Sequence, residues 1–118
     1  MAREAVIVDD HSGFRRQARW LLEQAGYRVI GEAASGSDAL SKVRRLKPDL
    51  VLLDIQLPDV DGFAVAESLA ADSPGAAVIL VSTRDASDYG LRLTTCGAVG
   101  FIAKADLSAD SLLKLLDS

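Results

Sequence analysis

Asp9 and Asp10 end one apolar run of this sequence, and Asp54 ends another within VLLDIQLPDVDG, residues 51–62. Ser82 and Thr83 close a third run, and Lys104 follows a fourth, VGFIA. Carboxylates brought close together repel unless a cation joins them. Side-chain, carbonyl and water oxygens are what Mg²⁺ takes, at about 2.1 Å in octahedral geometry. Calcium wants a denser cage, and zinc wants His or Cys, for which His11 alone does not suffice. A lysine and a hydroxyl beside such an ion would clamp the equatorial oxygens of a phosphoryl group. The remaining part is a nucleophile. A carboxylate can form an aspartyl-phosphate, and Asp54, a single central acid directly after its run, is the best candidate.

Such a constellation needs elements that bring distant residues to one edge. AVIV at 5–8, YRVIGEA at 27–33, DLVLL at 49–53, AVILVS at 77–82 and VGFIA at 99–103 read as strands. Helical patterns alternate with them. The first starts at Ser12 as a cap and stops at Gly26, with Phe14, Ala18, Leu21, Leu22 and Ala25 on one face. A second runs from Ser37 to about Leu46, ahead of Pro48, and a third spans 63–71. Residues 86–95 suit a weaker helix, since Tyr89, Leu91 and Leu93 do not share a clean stripe. Ser108 caps a last helix carrying Leu112, Leu115 and Leu116. Continuous apolar strands alternating with helices predict an α/β fold: a five-stranded parallel sheet, doubly wound, with helices on both faces. In such a sheet the strand ends share one edge, where ligands bind, and neighbouring strands lie about 5 Å apart.

Composition narrows the class. With 118 residues, 49% hydrophobic and 25% charged, the chain has the size and make-up of one folded domain. A net charge of -4 argues against this domain itself gripping DNA or an anionic membrane. The single Cys96 cannot form an internal disulfide, and it suits a reducing compartment. MAREAVIVDD has too short an apolar run for a signal peptide, and no window is long enough to span a membrane, so the cytoplasm is expected.

VIVDDHSGFR at 6–15, VLLDIQLPDVDG, VILVST at 78–83 and GAVGFIAKADL at 97–107 resemble the receiver domain of two-component response regulators, over essentially the whole chain. The DDH start, the LPDVDG turn and the ending look most like the NarL/LuxR-type subfamily, whose full-length members carry a C-terminal helix-turn-helix. The resemblance implies a flavodoxin-like (βα)5 fold over residues 1–118, with no output domain in this chain. Asp54 matches the phosphoacceptor, Ser82 the conserved hydroxyl and Lys104 the lysine. The metal, Mg²⁺ with Mn²⁺ as a substitute, is implied at Asp10, Asp54 and the backbone carbonyl of Gln56, with Asp9 acting through water. Phe101 matches the aromatic switch residue that follows Ser82, although it lacks a phenolic hydroxyl. The implied partners are a sensor histidine kinase, a homodimer formed on phosphorylation, and DNA through a missing C-terminal domain only. The enzyme status stays open: self-phosphorylation and self-dephosphorylation are implied, turnover of a separate substrate is not. Two departures are Ala105, where Pro is frequent after the lysine, and Ser12, where Pro often starts the helix. Met1 and Ser118 suit the receiver part of a longer protein.

Each residue also has a plainer reading. A lone strand-end Asp is a turn former, Phe101 and Cys96 are core, and His11 is a solvated or locally bonded loop residue. Pro58 would restrict the loop after Asp54, Gly62 would permit a tight turn, and the Gln56 side chain would tune hydrolysis. Rival functions are a stand-alone regulator, a phosphorylation-independent interaction module, and an Asp-nucleophile phosphohydrolase. The last would carry a second acid two residues after Asp54, where Gln56 stands.

Overall fold

Alternation of side chains along five parallel strands divides the core into two layers. The computed structural model describes residues 3–116, so Met1 and Ser118 lie outside the described residues. The strands are β1 (Arg3–Val8), β2 (Tyr27–Ala33), β3 (Leu50–Asp54), β4 (Ala77–Ser82) and β5 (Gly100–Ala103), in the sheet order β2-β1-β3-β4-β5. All the pairings are parallel, as the unbroken apolar runs predict. Val6, Val8, Val51, Leu53, Val78 and Leu80 point to one face, and Ala5, Ile7, Leu50, Leu52, Ile79 and Val81 to the other.

Helices α1 (Ser12–Gln24) and α5 (Ala109–Leu116) cover the second face through Ala18, Leu22 and Leu112. Helices α2 (Gly36–Leu46) and α3 (Gly62–Asp72) cover the first through Ala39, Val43, Phe63, Val65 and Leu69, and buried Cys96 packs with them as a small apolar group. Leu115 lies over Gly100, where an added Cβ would come within 2.6 Å of it. The end of α5 therefore rests beside the start of β5.

The helix ends depart from the sequence reading in three places. His11, not Ser12, is the N-cap of α1 and makes no side-chain cap bond. The Asp9 carboxylate takes the His11 amide at 2.8 Å, which turns the chain into the helix one residue early. Ser35 caps α2 by accepting from the Asp38 amide. The helix expected over 86–95 is broken into a 3₁₀ turn, Ala86–Asp88, and a four-residue α4, Arg92–Thr95. Gly90 between them has φ +61°, a left-handed conformation that ends one turn before the next begins. Ser108 does cap α5, and it exchanges bonds reciprocally with Ser111.

Candidate functional site

The C-terminal ends of β1, β3 and β4 and the residue after β5 meet at a cleft of about 280 Å³ lined by Asp10, His11, Asp54, Gln56, Thr83 and Lys104, among others. Parallel strands deliver these residues because every strand ends on the same edge. Asp54 is the last residue of β3 itself, buried at 4% exposure on a strand with neighbours on both sides. Asp9 is fully buried, whereas the Asp10 side chain is 37% exposed and faces the mouth.

Lys104 arrives from the far side of the sheet. Its Nζ donates to Asp9 Oδ2 at 2.6 Å and approaches Asp54 Oδ2 at 3.5 Å. The ammonium also stands 4.2 Å from the Phe14 ring centroid, a cation–π contact that steadies it from the α1 side. Asp9 is more engaged than the sequence suggests. Its Oδ1 accepts the His11 amide and lies 3.2 Å from the His11 ring nitrogen, which is also 3.0 Å from Asp10. Arg15 reaches from α1 to the Asp9 carbonyl at 2.6 Å and ties the helix to the acid pair.

The charges do not balance. Burial pushes the Asp54 carboxyl up to about 6, and the neighbouring Asp9 charge adds to the rise. Lys104 and the Gln56 amide, which donates to Asp54 Oδ1 at 3.2 Å, pull the other way without cancelling it. The carboxylates of Asp9, Asp10 and Asp54 and the His11 ring offer ligand atoms within 4.8 Å of one another. A single ammonium against this set leaves an excess of negative charge, so the donor set fits a divalent cation.

The loop after Asp54 is held on both sides. Gly62 donates to the Ile55 carbonyl, and a Cβ at Gly62 would stand 2.4 Å from the Asp54 carbonyl oxygen. The glycine is thus required by close approach to the acid's own backbone. Asp59 accepts from the amides of Gly36 and Ser37 at 2.8 and 3.0 Å, and those bonds hold its carboxyl below the usual range. Asp61 caps α3 through the Ala64 amide and pairs with Arg92 of α4 at 2.9 Å. The capping amide is the main reason its carboxyl is lowered.

Two expected residues lie apart from the cleft. Ser82 is fully buried, and its hydroxyl meets the Tyr89 hydroxyl at 2.6 Å, while the neighbouring Thr83 lines the cleft. Phe101 is half-buried, with its ring 6.0 Å from that of Tyr89. Sequence reasoning missed Tyr89, Phe14 and Asp59 as members of this neighbourhood. A signal for Tyr89 was present: its misfit with the helical stripe of residues 86–95 marked a side chain with other business.

Fold and site together define a parallel-sheet domain that gathers carboxylates and one lysine at its strand ends. The chain belongs to the response regulator receiver domain family, whose model matches residues 5–117. It is 33% identical over 102 residues to the DNA-binding transcriptional activator EvgA of Escherichia coli K12, covering 86% of this chain and 50% of that protein. It is 33% identical over 104 residues to chemotaxis protein CheY of Thermotoga maritima, covering 88% of this chain and 87% of CheY. A LuxR-family two-component response regulator from Aurantimonas sp. SI85-9A1 superposes with a TM-score of 0.87 at 26% identity, covering 99% of this chain and 84% of that one. The chain spans about half the length of the transcription regulators it matches. Among the described residues no helix is long and apolar enough to cross a membrane.

Proposed function

We propose that Asp54 accepts a phosphoryl group from a phosphohistidine on a sensor histidine kinase. The observation that carries this reading is the position of Asp54: a buried carboxylate at the floor of the cleft, facing one lysine and flanked by an acid pair. A carboxyl with a pKa of about 6 is still mostly ionised at neutral pH, so the nucleophile is available. In the transfer an Asp54 oxygen forms a bond to phosphorus as the phosphorus–nitrogen bond to the donor imidazole breaks. The imidazole nitrogen keeps the electron pair. Lys104 then turns from Asp9 toward the new anionic oxygens, a movement its 3.5 Å distance from Asp54 already allows.

Asp10, Asp54 and the Gln56 carbonyl would hold the metal, with Asp9 acting through water and through its bond to Lys104. Mg²⁺ suits these hard oxygen donors, and Mn²⁺ would substitute. When bound, the ion neutralises the carboxylates and draws charge from the phosphoryl oxygens. The chain's own residues do the rest: Gln56 fixes the Asp54 carboxylate through its amide, and Gly62 lets the loop lie against the strand end.

The output proposed is control of transcription through a DNA-binding region elsewhere in a longer protein, as the EvgA likeness suggests. The CheY likeness, over nearly all of that protein, favours a stand-alone regulator as the second reading. A receiver of either kind is expected in the cytoplasm with its kinase, and a homodimer is expected on phosphorylation.

Intact mass after incubation with acetyl phosphate tests the proposal, with and without Mg²⁺. A Mg²⁺-dependent gain of about 80 Da, labile in base and absent from Asp54→Asn, is expected. The same gain in Asp54→Asn would overturn the assignment. Continuous release of phosphate from phosphomonoesters would favour the phosphohydrolase instead.

A further inference from the structure

Ser82 has one hydroxyl proton, and the structure shows where that hydroxyl is engaged. Its oxygen accepts from the Arg84 amide at 3.1 Å and lies 2.6 Å from the Tyr89 hydroxyl. Phosphoryl oxygens only accept hydrogen bonds, so a bond from Ser82 to a phosphorylated Asp54 must use that single proton. If Ser82 donates to Tyr89, the proton is already committed. If Tyr89 donates, Ser82 is still held toward Tyr89 and away from the cleft, which Thr83 lines instead.

Tyr89 is well placed to hold it. The ring sits edge-on to Phe63 with centroids 5.5 Å apart and tilts against Phe101 at 6.0 Å. A phenylalanine would satisfy those ring contacts equally, and what the phenol adds is the bond to Ser82. Tyr89 ends the 3₁₀ turn Ala86–Asp88 and precedes Gly90 at φ +61°, so the backbone around it is bound into no long helix.

We propose that Tyr89 is a positioning residue: its hydroxyl holds the Ser82 hydroxyl out of the phosphoryl cleft, and phosphorylation must break this bond. The inference rests on Asp54 being the phosphoacceptor. Tyr89 then couples the chemistry to the aromatic cluster directly. Once released from Ser82, the ring loses its one polar anchor, and the turn that carries it is freed beside Phe101.

Two measurements on the whole chain test this. In the first, phosphorylation by acetyl phosphate and Mg²⁺ is timed by intact mass for wild type, Tyr89→Phe, Ser82→Ala and the double variant. Loss of one neutral hydrogen bond predicts a rise of about three- to ten-fold in the rate for Tyr89→Phe. No such rise is expected when the change is made in the Ser82→Ala background. A rate for Tyr89→Phe at or below wild type would overturn the proposal, and so would an equal acceleration in the absence of the Ser82 hydroxyl. In the second, the Ser82 Cβ–Hβ resonances of the unphosphorylated protein are compared between wild type and Tyr89→Phe. They should shift while the Leu69 and Leu80 methyl signals stay in place. Unmoved Ser82 resonances would show that the latch does not exist. Wild type that gains no mass from acetyl phosphate or from a phosphorylated cognate histidine kinase would instead defeat the phosphoacceptor reading, and the resonances would still decide whether Tyr89 holds Ser82.

Discussion

The centre of the sheet and its β5 edge are built to different standards. In the centre, four residues of β1, all of β3 and five of the six residues of β4 are buried, and helices α1, α2 and α3 run 13, 11 and 11 residues. At the β5 edge, α4 and β5 have four residues each, and Ile102 is the one buried residue of β5. Leu91 is 80% exposed and Val99 48%. The acids come from the well-packed centre, where their spacing is held by a close-packed core. Phe101 and Tyr89 belong to the thinly packed edge, which Ser82, itself fully buried at the end of β4, borders, and fewer apolar contacts there oppose a rearrangement. The proposed phosphotransfer and switch would use both: a fixed place for chemistry and a neighbouring place that can move.

The largest expected effect falls on Lys104, the cation that joins the β5 edge to the acids of the centre. Lys104→Met leaves fully buried Asp9 without its ammonium partner. It should lower stability by on the order of 3 kcal/mol in urea unfolding and slow phosphorylation by about 10²-fold. A stable, fully active variant would mean the edge and the centre communicate without it. Next comes a paired truncation. Leu52→Ala in β3 should cost about 3 kcal/mol, and Leu93→Ala in α4 about 1 kcal/mol or less. Equal losses would break the comparison.

The third effect concerns pH. The Asp54 carboxyl is raised from an ordinary 3.8 to about 6, so the folded protein holds that proton to higher pH than the unfolded chain. Ionising it therefore costs stability. The cost is absent below about pH 4 and complete above about pH 6. Without divalent cations, Asp54→Asn should be more stable than wild type at pH 8, by on the order of 2 kcal/mol. The difference should close as pH falls from 6 toward 4, and added Mg²⁺ should stabilise wild type more than the variant. A gap that widens in acid would contradict the burial argument. The smallest effect belongs to Arg92, which pairs with Asp61 and lies 4.2 Å from the Phe63 ring centroid. Arg92→Met should change stability by about 0.5 kcal/mol, because that pair is exposed on both sides. Its informative readout is amide exchange, which should quicken in residues 86–95 and nowhere in β1 or β3.

Much of this was legible in the residue order. Short unbroken apolar blocks such as LVLL and AVILV, alternating with helical patterns, read as strands buried on both faces of a parallel sheet, whose ends share one edge. The pattern places Asp9, Asp10, Asp54 and Lys104 at that edge, and the resemblance to receiver domains, not the pattern, supplied their expected roles. The break at residues 86–95 was less legible because one glycine, Gly90, outweighs a weak helical pattern. Contacts made across the fold left no local trace. Asp59 binding the amides of α2, and Phe14 lying under Lys104, depend on elements 23 and 90 positions away. The tilt of the Ser82 hydroxyl toward Tyr89 is a rotamer choice, which no periodicity encodes.

Leu115 lying over Gly100 has a practical consequence for anyone who labels this molecule. It brings the end of α5 to the same pole as Arg3, where β1 begins, while Asp54 sits at the opposite pole. A fluorophore or surface linker attached near either place would leave the cleft open to a kinase. It would, however, report poorly on events at Ser82. A probe meant to see the rearrangement belongs at exposed Leu91, next to the turn that Tyr89 closes.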